Sequence, residues 1–180
     1  MNNLYTKKGD NGETDLADGQ RVSKNHPRVV CLGDLDELNA TLGLLNALLQ
    51  HKELSETDED RALLTAVQRV LFCVGAWVAG SPYDIPHQPL SELTHRLEQA
   101  IDRMPTSRFS GFILPGGHPT AAHAHIARAV CRRAERSLLL IPFSAEIWSE
   151  VEPFINRLSD YLFALAKKIN ALHGVEERKM

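Results

Sequence analysis

Cysteine, aromatic residues and long apolar runs are all scarce in this chain, and each shortage removes a class of protein. The three cysteines, Cys31, Cys73 and Cys131, are an odd number with no C-x-x-C pair, so neither a disulfide framework nor a zinc ribbon is expected. Reduced, mostly buried thiols fit better. No stretch approaches the roughly 18 apolar residues of a membrane span, and the opening Met1-Asn-Asn-Leu-Tyr-Thr-Lys-Lys has no apolar run behind its charges. A soluble, cytoplasmic protein without a membrane partner is therefore expected. A G-x-x-x-x-G-K-[ST] motif is absent, which excludes a Walker-type nucleotide hydrolase, and no nucleophile elbow surrounds Ser159-Asp160. The net charge of -3 gives no general attraction for nucleic acid. Any polyanion site must be local.

What is present is helical periodicity. With 180 residues the chain is long enough for one sizeable core and short for two, so residues 1–180 are read as a single domain. Leu35, Leu38, Leu42, Leu45 and Leu49 step by three and four, and Asp34 with Glu37 offers a capping-box start for a first helix. Leu63, Val67, Val70, Val74 and Val78 repeat the step after an acidic opening, up to Gly80-Ser-Pro. A shorter helix runs from near Pro89 through Leu90, Leu93, Leu97 and Ile101 to Pro105. A fourth opens with Pro119 in its first turn and reaches about Leu140. The last carries Phe154, Leu158, Tyr161, Leu162, Leu165, Ile169 and Leu172, starts between Ala145 and Pro153, and has Pro153 as first turn or kink. The expected fold is an all-α bundle of four to five helices over residues 34–173, with a polar N-terminal segment over 1–33 and a tail over 174–180.

Two features stand apart from plain packing. On the fourth helix, 100° per residue places Arg128, Arg132, Glu135 and Arg136 on one face, while Ala127, Val130, Cys131, Ala134 and Leu138 form the core stripe. Three guanidinium groups on one stripe suit an anion, unless they merely pair with carboxylates such as Glu135. The segment Thr6-Lys7-Lys8-Gly9-Asp10-Asn11-Gly12-Glu13-Thr14 has no apolar periodicity, and its glycines, lysines and hydroxyls are donors for a phosphate chain. It reads as a binding loop, with no strand expected in it. His118, His123 and His125 lie close together without a carboxylate or cysteine at ligand spacing, so they read as surface or capping residues and no protein metal site is assigned. Trp77 and Trp148 read as packing.

Five ordered motifs resemble the PduO-type ATP:cob(I)alamin adenosyltransferases over nearly the whole chain. They are Tyr5-Thr6-Lys7-Lys8-Gly9-Asp10-Asn11-Gly12-Glu13-Thr14 with Arg21-Val22-x-Lys24; Gly33-Asp34-Leu35-Asp36-Glu37-Leu38-Asn39; Phe112-Ile113-Leu114-Pro115-Gly116-Gly117; Arg132-Arg133-Ala134-Glu135-Arg136; and Asn156-Arg157-Leu158-Ser159-Asp160-Tyr161-Leu162-Phe163. The resemblance implies a trimeric helical bundle that binds ATP and cobalamin where subunits meet and moves the 5′-deoxyadenosyl group of ATP to the cobalt of cob(I)alamin. It implies nucleotide contacts from Thr6, Lys7, Lys8, Gly9, Thr14 and Lys24 on one side. Arg132, Arg133, Glu135, Arg136 and Asn156 supply the other. Arg132, Asp36, Arg128 and Phe112 are the residues it implies for catalysis, with Asp36 and Arg128 linking two subunits and Phe112 filling the lower face of cobalt.

The chemistry agrees with those residue types. Cob(I)alamin is so strong a nucleophile that attack on the ribose C5′ needs alignment and no side-chain base. The triphosphate leaving group calls for lysines, arginines, amides and a magnesium ion. A reductase and an adenosylcobalamin-dependent enzyme are the implied partners. The alternative is a trimeric nucleotide- or cobalamin-binding delivery protein without transferase activity. Lys8 stands where many members have threonine, and the tail from Gly174 to Met180 lacks the aromatic residue that members often carry there.

Overall fold

The structure, a computed structural model, describes residues 5, 7–50, 55–81, 90–104 and 112–180. Five α-helices follow a short hairpin: β1 (Glu13–Asp15), β2 (Arg21–Ser23), α1 (Pro27–Leu49), α2 (Asp58–Ala79), α3 (Leu90–Arg103), α4 (Pro119–Leu138) and α5 (Ala145–Leu172). The expected all-α bundle is present. Its core is the set of three-and-four steps read from the sequence: Leu35, Leu38, Leu42, Leu45 and Leu49 from α1 meet Val67, Val74 and Val78 from α2 and Leu158, Leu162 and Leu165 from α5, all buried. Burying each such side chain contributes roughly 1.5–3 kcal/mol against leaving it exposed.

Helix boundaries follow local chemistry. Pro119 opens α4 behind an N-cap His118, whose ring accepts from Thr120 N, and Ser144 caps α5 by accepting from Ile147 N. Gly80 ends α2 in the left-handed region at φ 72°, where a Cβ would collide with Arg28 and Asp18. Pro153 is the ninth residue of α5, well inside it, and lies on the exposed side. A proline there removes one ladder hydrogen bond without disturbing the core contacts.

Three readings change. Helix α1 begins at Pro27 with His26 as N-cap, seven residues before the capping-box candidate Asp34. The N-terminal segment contains a two-stranded antiparallel hairpin, with Thr14 opposite Val22. Of the three histidines, His118 and His123 are a cap and a partly exposed residue, but His125 is buried, with both ring nitrogens unpaired. Burial, with the neighbouring Arg128 charge, holds its pKa below the usual histidine range.

By length and a mean hydropathy of 1.7, α2 could cross a membrane, which the sequence reading had not allowed. Its apolar side packs into the bundle through Leu63, Leu64, Val67, Val70, Leu71, Val74 and Val78. Cys31 and Cys131 are fully buried and Cys73 partly so. Burial pushes the Cys31 thiol up to about 12. Trp77 and Trp148 pack against the core as expected. Tyr161 donates to Asp60 at 2.8 Å, and Lys168 donates to the second carboxylate oxygen at 2.6 Å, tying α5 to α2 through a buried polar link. Both Asp60 oxygens are thereby satisfied, which offsets the desolvation of its charge.

Candidate functional site

The polar loop is built on the hairpin. Arg21 of β2 donates to Glu13 at 3.1 Å, to Asp15 at 2.9 Å and to the Lys8 carbonyl at 2.7 Å, so one side chain holds the loop against both strands. Turns close from Asp10 N to Lys7 O and from Gly12 N to Gly9 O, and Lys24 N donates to Gly12 O at 2.9 Å. A Cβ at Gly9 would sit 3.3 Å from Lys24 Nζ, so the ammonium lies directly over the loop backbone. Lys7, at φ 60°, stacks its ammonium 5.9 Å from the Tyr5 ring. Lys7, Lys8, Gly9, Thr14 and Lys24 are thus gathered on one short hairpin loop. Thr6 lies outside the described residues. The loop is tethered to the bundle by Ala17 N to Ala79 O at 3.0 Å. Arg28 adds contacts to Val78 O at 2.6 Å and to Asp18 at 2.8 Å. The Arg28 bond holds the Asp18 carboxyl below its ordinary pKa.

Among the described residues the arginines of the stripe are not paired off with carboxylates. Glu135 accepts from Asn156 Nδ2 at 3.3 Å and, among the described residues, forms no ion pair with an arginine. Arg136 donates to the Arg132 carbonyl at 2.9 Å. The Arg132 guanidinium is exposed and, among the described residues, has neither hydrogen bond nor ion pair. Arg132, Glu135, Arg136 and Asn156 therefore make one wall across α4 and α5, carrying two guanidinium groups without carboxylate partners. Such a wall suits a polyanion.

Arg133 is placed elsewhere. Its guanidinium donates to Asp34 at 2.9 Å and to Glu37, and Ser137 donates to the second Asp34 oxygen. The two carboxylates, Glu37 first, raise its pKa further. Arg133 thereby clamps α4 to α1, and Asp34 and Glu37, at capping-box spacing in the sequence, serve it from inside α1.

Among the described residues no hydrogen bond or ion pair joins Gly9, Thr14 or Lys24 to Arg132, Glu135 or Asn156. Asp36 and Arg128 are likewise unpaired with each other within the chain. Asp36 is exposed beside a cleft of about 340 Å³ between α1 and α2, lined also by Leu32, Phe72, Gly75 and Ala76. Arg128 lies with its guanidinium 6.0 Å from the Phe163 ring, and its Nε is buried without a partner.

Phe112 is 79% exposed and so is no part of the core. The turn behind it is held by a residue that the sequence did not single out. Asn170 of α5 is 2% exposed, donates from Nδ2 to Gly116 O at 3.1 Å and accepts at Oδ1 from His118 N at 2.9 Å. Gly117 sits at φ 101°, and a Cβ there would run into the Asn170 amide. His118 stacks on His173 with ring centroids 3.6 Å apart. Gly117→Ala is expected to cost roughly 1–3 kcal/mol, from left-handed strain and displacement of the amide. Thermal denaturation measures it, and an unchanged melting temperature would remove Asn170 as the organiser of this turn.

The geometry has counterparts among known proteins. A family model described as cobalamin adenosyltransferase matches residues 4–169. A cobalamin adenosyltransferase of Cupriavidus metallidurans is 40% identical over 97% of this chain and 91% of its own length. The corrinoid adenosyltransferase PduO of Salmonella typhimurium is 43% identical over 91% of the chain, which spans about half (48%) of that relative. A solved structure of a variant PduO-type ATP:corrinoid adenosyltransferase from Lactobacillus reuteri, complexed with cobalamin and ATP, superposes with a TM-score of 0.85 at 32% identity, over 99% of this chain and 96% of that one. From its motifs, its bundle and these relatives, the chain belongs to the cobalamin adenosyltransferase family.

Proposed function

We propose that the protein transfers the 5′-deoxyadenosyl group of ATP to the cobalt of cob(I)alamin, giving adenosylcobalamin and triphosphate. The observation that carries this reading is the Arg132 and Arg136 wall, which holds positive charge without carboxylate partners beside Asn156. The hairpin loop with Lys7, Lys8 and Lys24 supplies the second cluster of donors. Because no hydrogen bond or ion pair joins the two clusters among the described residues of one chain, the reading includes a homotrimer whose ATP sites form between subunits, with Asp36 of one copy meeting Arg128 of the next.

In this mechanism the residues bind, align and exclude water. Arg132, Arg136 and the loop amides and lysines fix the triphosphate, so that its growing negative charge meets preorganised donors as the C5′–O bond breaks. Asn156 and Glu135 orient the nucleoside end. Phe112 covers the lower face of cobalt and displaces the axial ligand, which makes Co(I) easier to generate. Among the described residues no three His, Cys, Asp or Glu side chains group to hold a metal. A magnesium ion bound with ATP beside the Lys7, Lys8 and Lys24 loop would help to spread the leaving charge. The protein works in the cytoplasm, beside a reductase and an enzyme that consumes adenosylcobalamin.

The test is an anaerobic spectral assay with ATP, magnesium and chemically reduced cobalamin. A cobalt–carbon bond and intact triphosphate are expected. Pyrophosphate plus phosphate as the inorganic product would overturn the reaction. Binding of both substrates without a cobalt–carbon bond would favour the delivery protein.

A further inference from the structure

The C-terminal residues do not trail away from the bundle. Leu114 N donates to Arg178 O at 2.8 Å and Met180 N donates to Phe112 O at 3.0 Å, so residues 178–180 lie antiparallel to 112–114, with Ile113 opposite Lys179. Alternation along this short pair leaves Phe112 and Leu114 79% and 51% exposed while Ile113 is half-buried. The exposed Phe112 ring has little packing of its own, so its main-chain neighbours decide where it points.

The tail is anchored just before that pairing. Val175 N donates to Asn170 O at 2.9 Å, at the end of α5. Two residues later Glu177 meets Lys167 of α5 at 3.2 Å, where the lysine side chain is only 9% exposed. An ammonium that far from water is costly without a counter-charge, so Lys167 draws the tail inward. The surroundings sharpen this: Glu177 also acts on His125, which Arg128 faces from the same helix, and Glu177 Oε1 is buried without a partner.

We propose that the C-terminal segment is a strap that sets the direction of Phe112, with Glu177 and Lys167 as the ion pair that fastens it. Both are positioning residues that act through Phe112 and touch neither substrate. This inference rests on the role given to Phe112 under the proposed function. The tail contributes main-chain hydrogen bonds to residues 112–114 and a carboxylate to Lys167.

The test uses the full chain and its Glu177→Gln and Lys167→Met variants. Amide hydrogen exchange at Leu114 is expected to quicken at least tenfold in each, because the bond to Arg178 O loosens when its fastening is lost. With ATP bound, the fraction of four-coordinate cob(II)alamin seen by absorption should fall severalfold, while ATP affinity stays within about twofold. In a Phe112→Ala background, Glu177→Gln should add no further loss of that fraction, since the residue it positions is gone. Unchanged exchange at Leu114 would overturn the strap. Quickened exchange with an undiminished four-coordinate fraction, or additive losses in the double variant, would overturn its action through Phe112. If the wild-type chain itself forms no four-coordinate species, the functional reading fails, and the Leu114 exchange still decides whether the ion pair fastens the tail.

Discussion

Arg132→Ala should lower turnover by about two to three decades, the loss of roughly 2–4 kcal/mol that follows removal of one preorganised donor from a developing negative charge. The melting temperature should hardly move. The Arg132 side chain is exposed and has no partner among the described residues, whereas the core stripe of α4, through Ala127, Cys131 and Ala134, lies on another face. Stability effects at such positions are usually within about 0.5 kcal/mol. Steady-state rates with chemically reduced cobalamin, alongside thermal denaturation, separate the two quantities. Turnover equal to wild type would remove Arg132 from the triphosphate site.

The second large effect is expected at Phe112. Phe112 is 79% exposed in the free chain, and if its ring holds the lower face of cobalt against the axial ligand, as proposed, losing it should cost about one to two decades in rate. Phe112→Ala should show that loss when cob(II)alamin and a reductase are supplied. With pre-reduced cob(I)alamin, which already lacks a strong lower ligand, the loss should be smaller. ATP affinity and melting temperature should stay near wild type. Equal losses with both forms of cobalamin would show that the ring does not act on the lower axial ligand.

Sequence periodicity revealed α2 to α5 because their apolar residues recur every three or four positions over at least three turns, and Gly80 and Pro119 mark boundaries through backbone chemistry alone. The start of α1 was misread for a physical reason: Asp34 and Glu37 have capping-box spacing, yet both serve Arg133 from another helix. His26 with Pro27 was the available signal. The hairpin left no periodic trace, since its strands are three residues long and are held by Arg21 in place of apolar alternation. The arginine stripe was legible as a face, and its freedom from carboxylates was not. Asn170 and Glu177 could not be found from spacing either. Their roles depend on partners such as Gly116 and Lys167, which only the folded chain brings near.

The Arg133 clamp has a consequence for how the substrate arrives. Asp34 and Glu37 are held by Arg133, while among the described residues Arg132 and Arg136 have no carboxylate partner, so a protein of net charge -3 keeps a patch of opposite sign on α4. A polyanion approaching this surface is guided along the field of that patch, and the guidance reaches only about 8 Å at physiological ionic strength. Capture of ATP thus becomes a matter of steering, faster in dilute salt, toward the α4 patch and the Lys7, Lys8 and Lys24 loop.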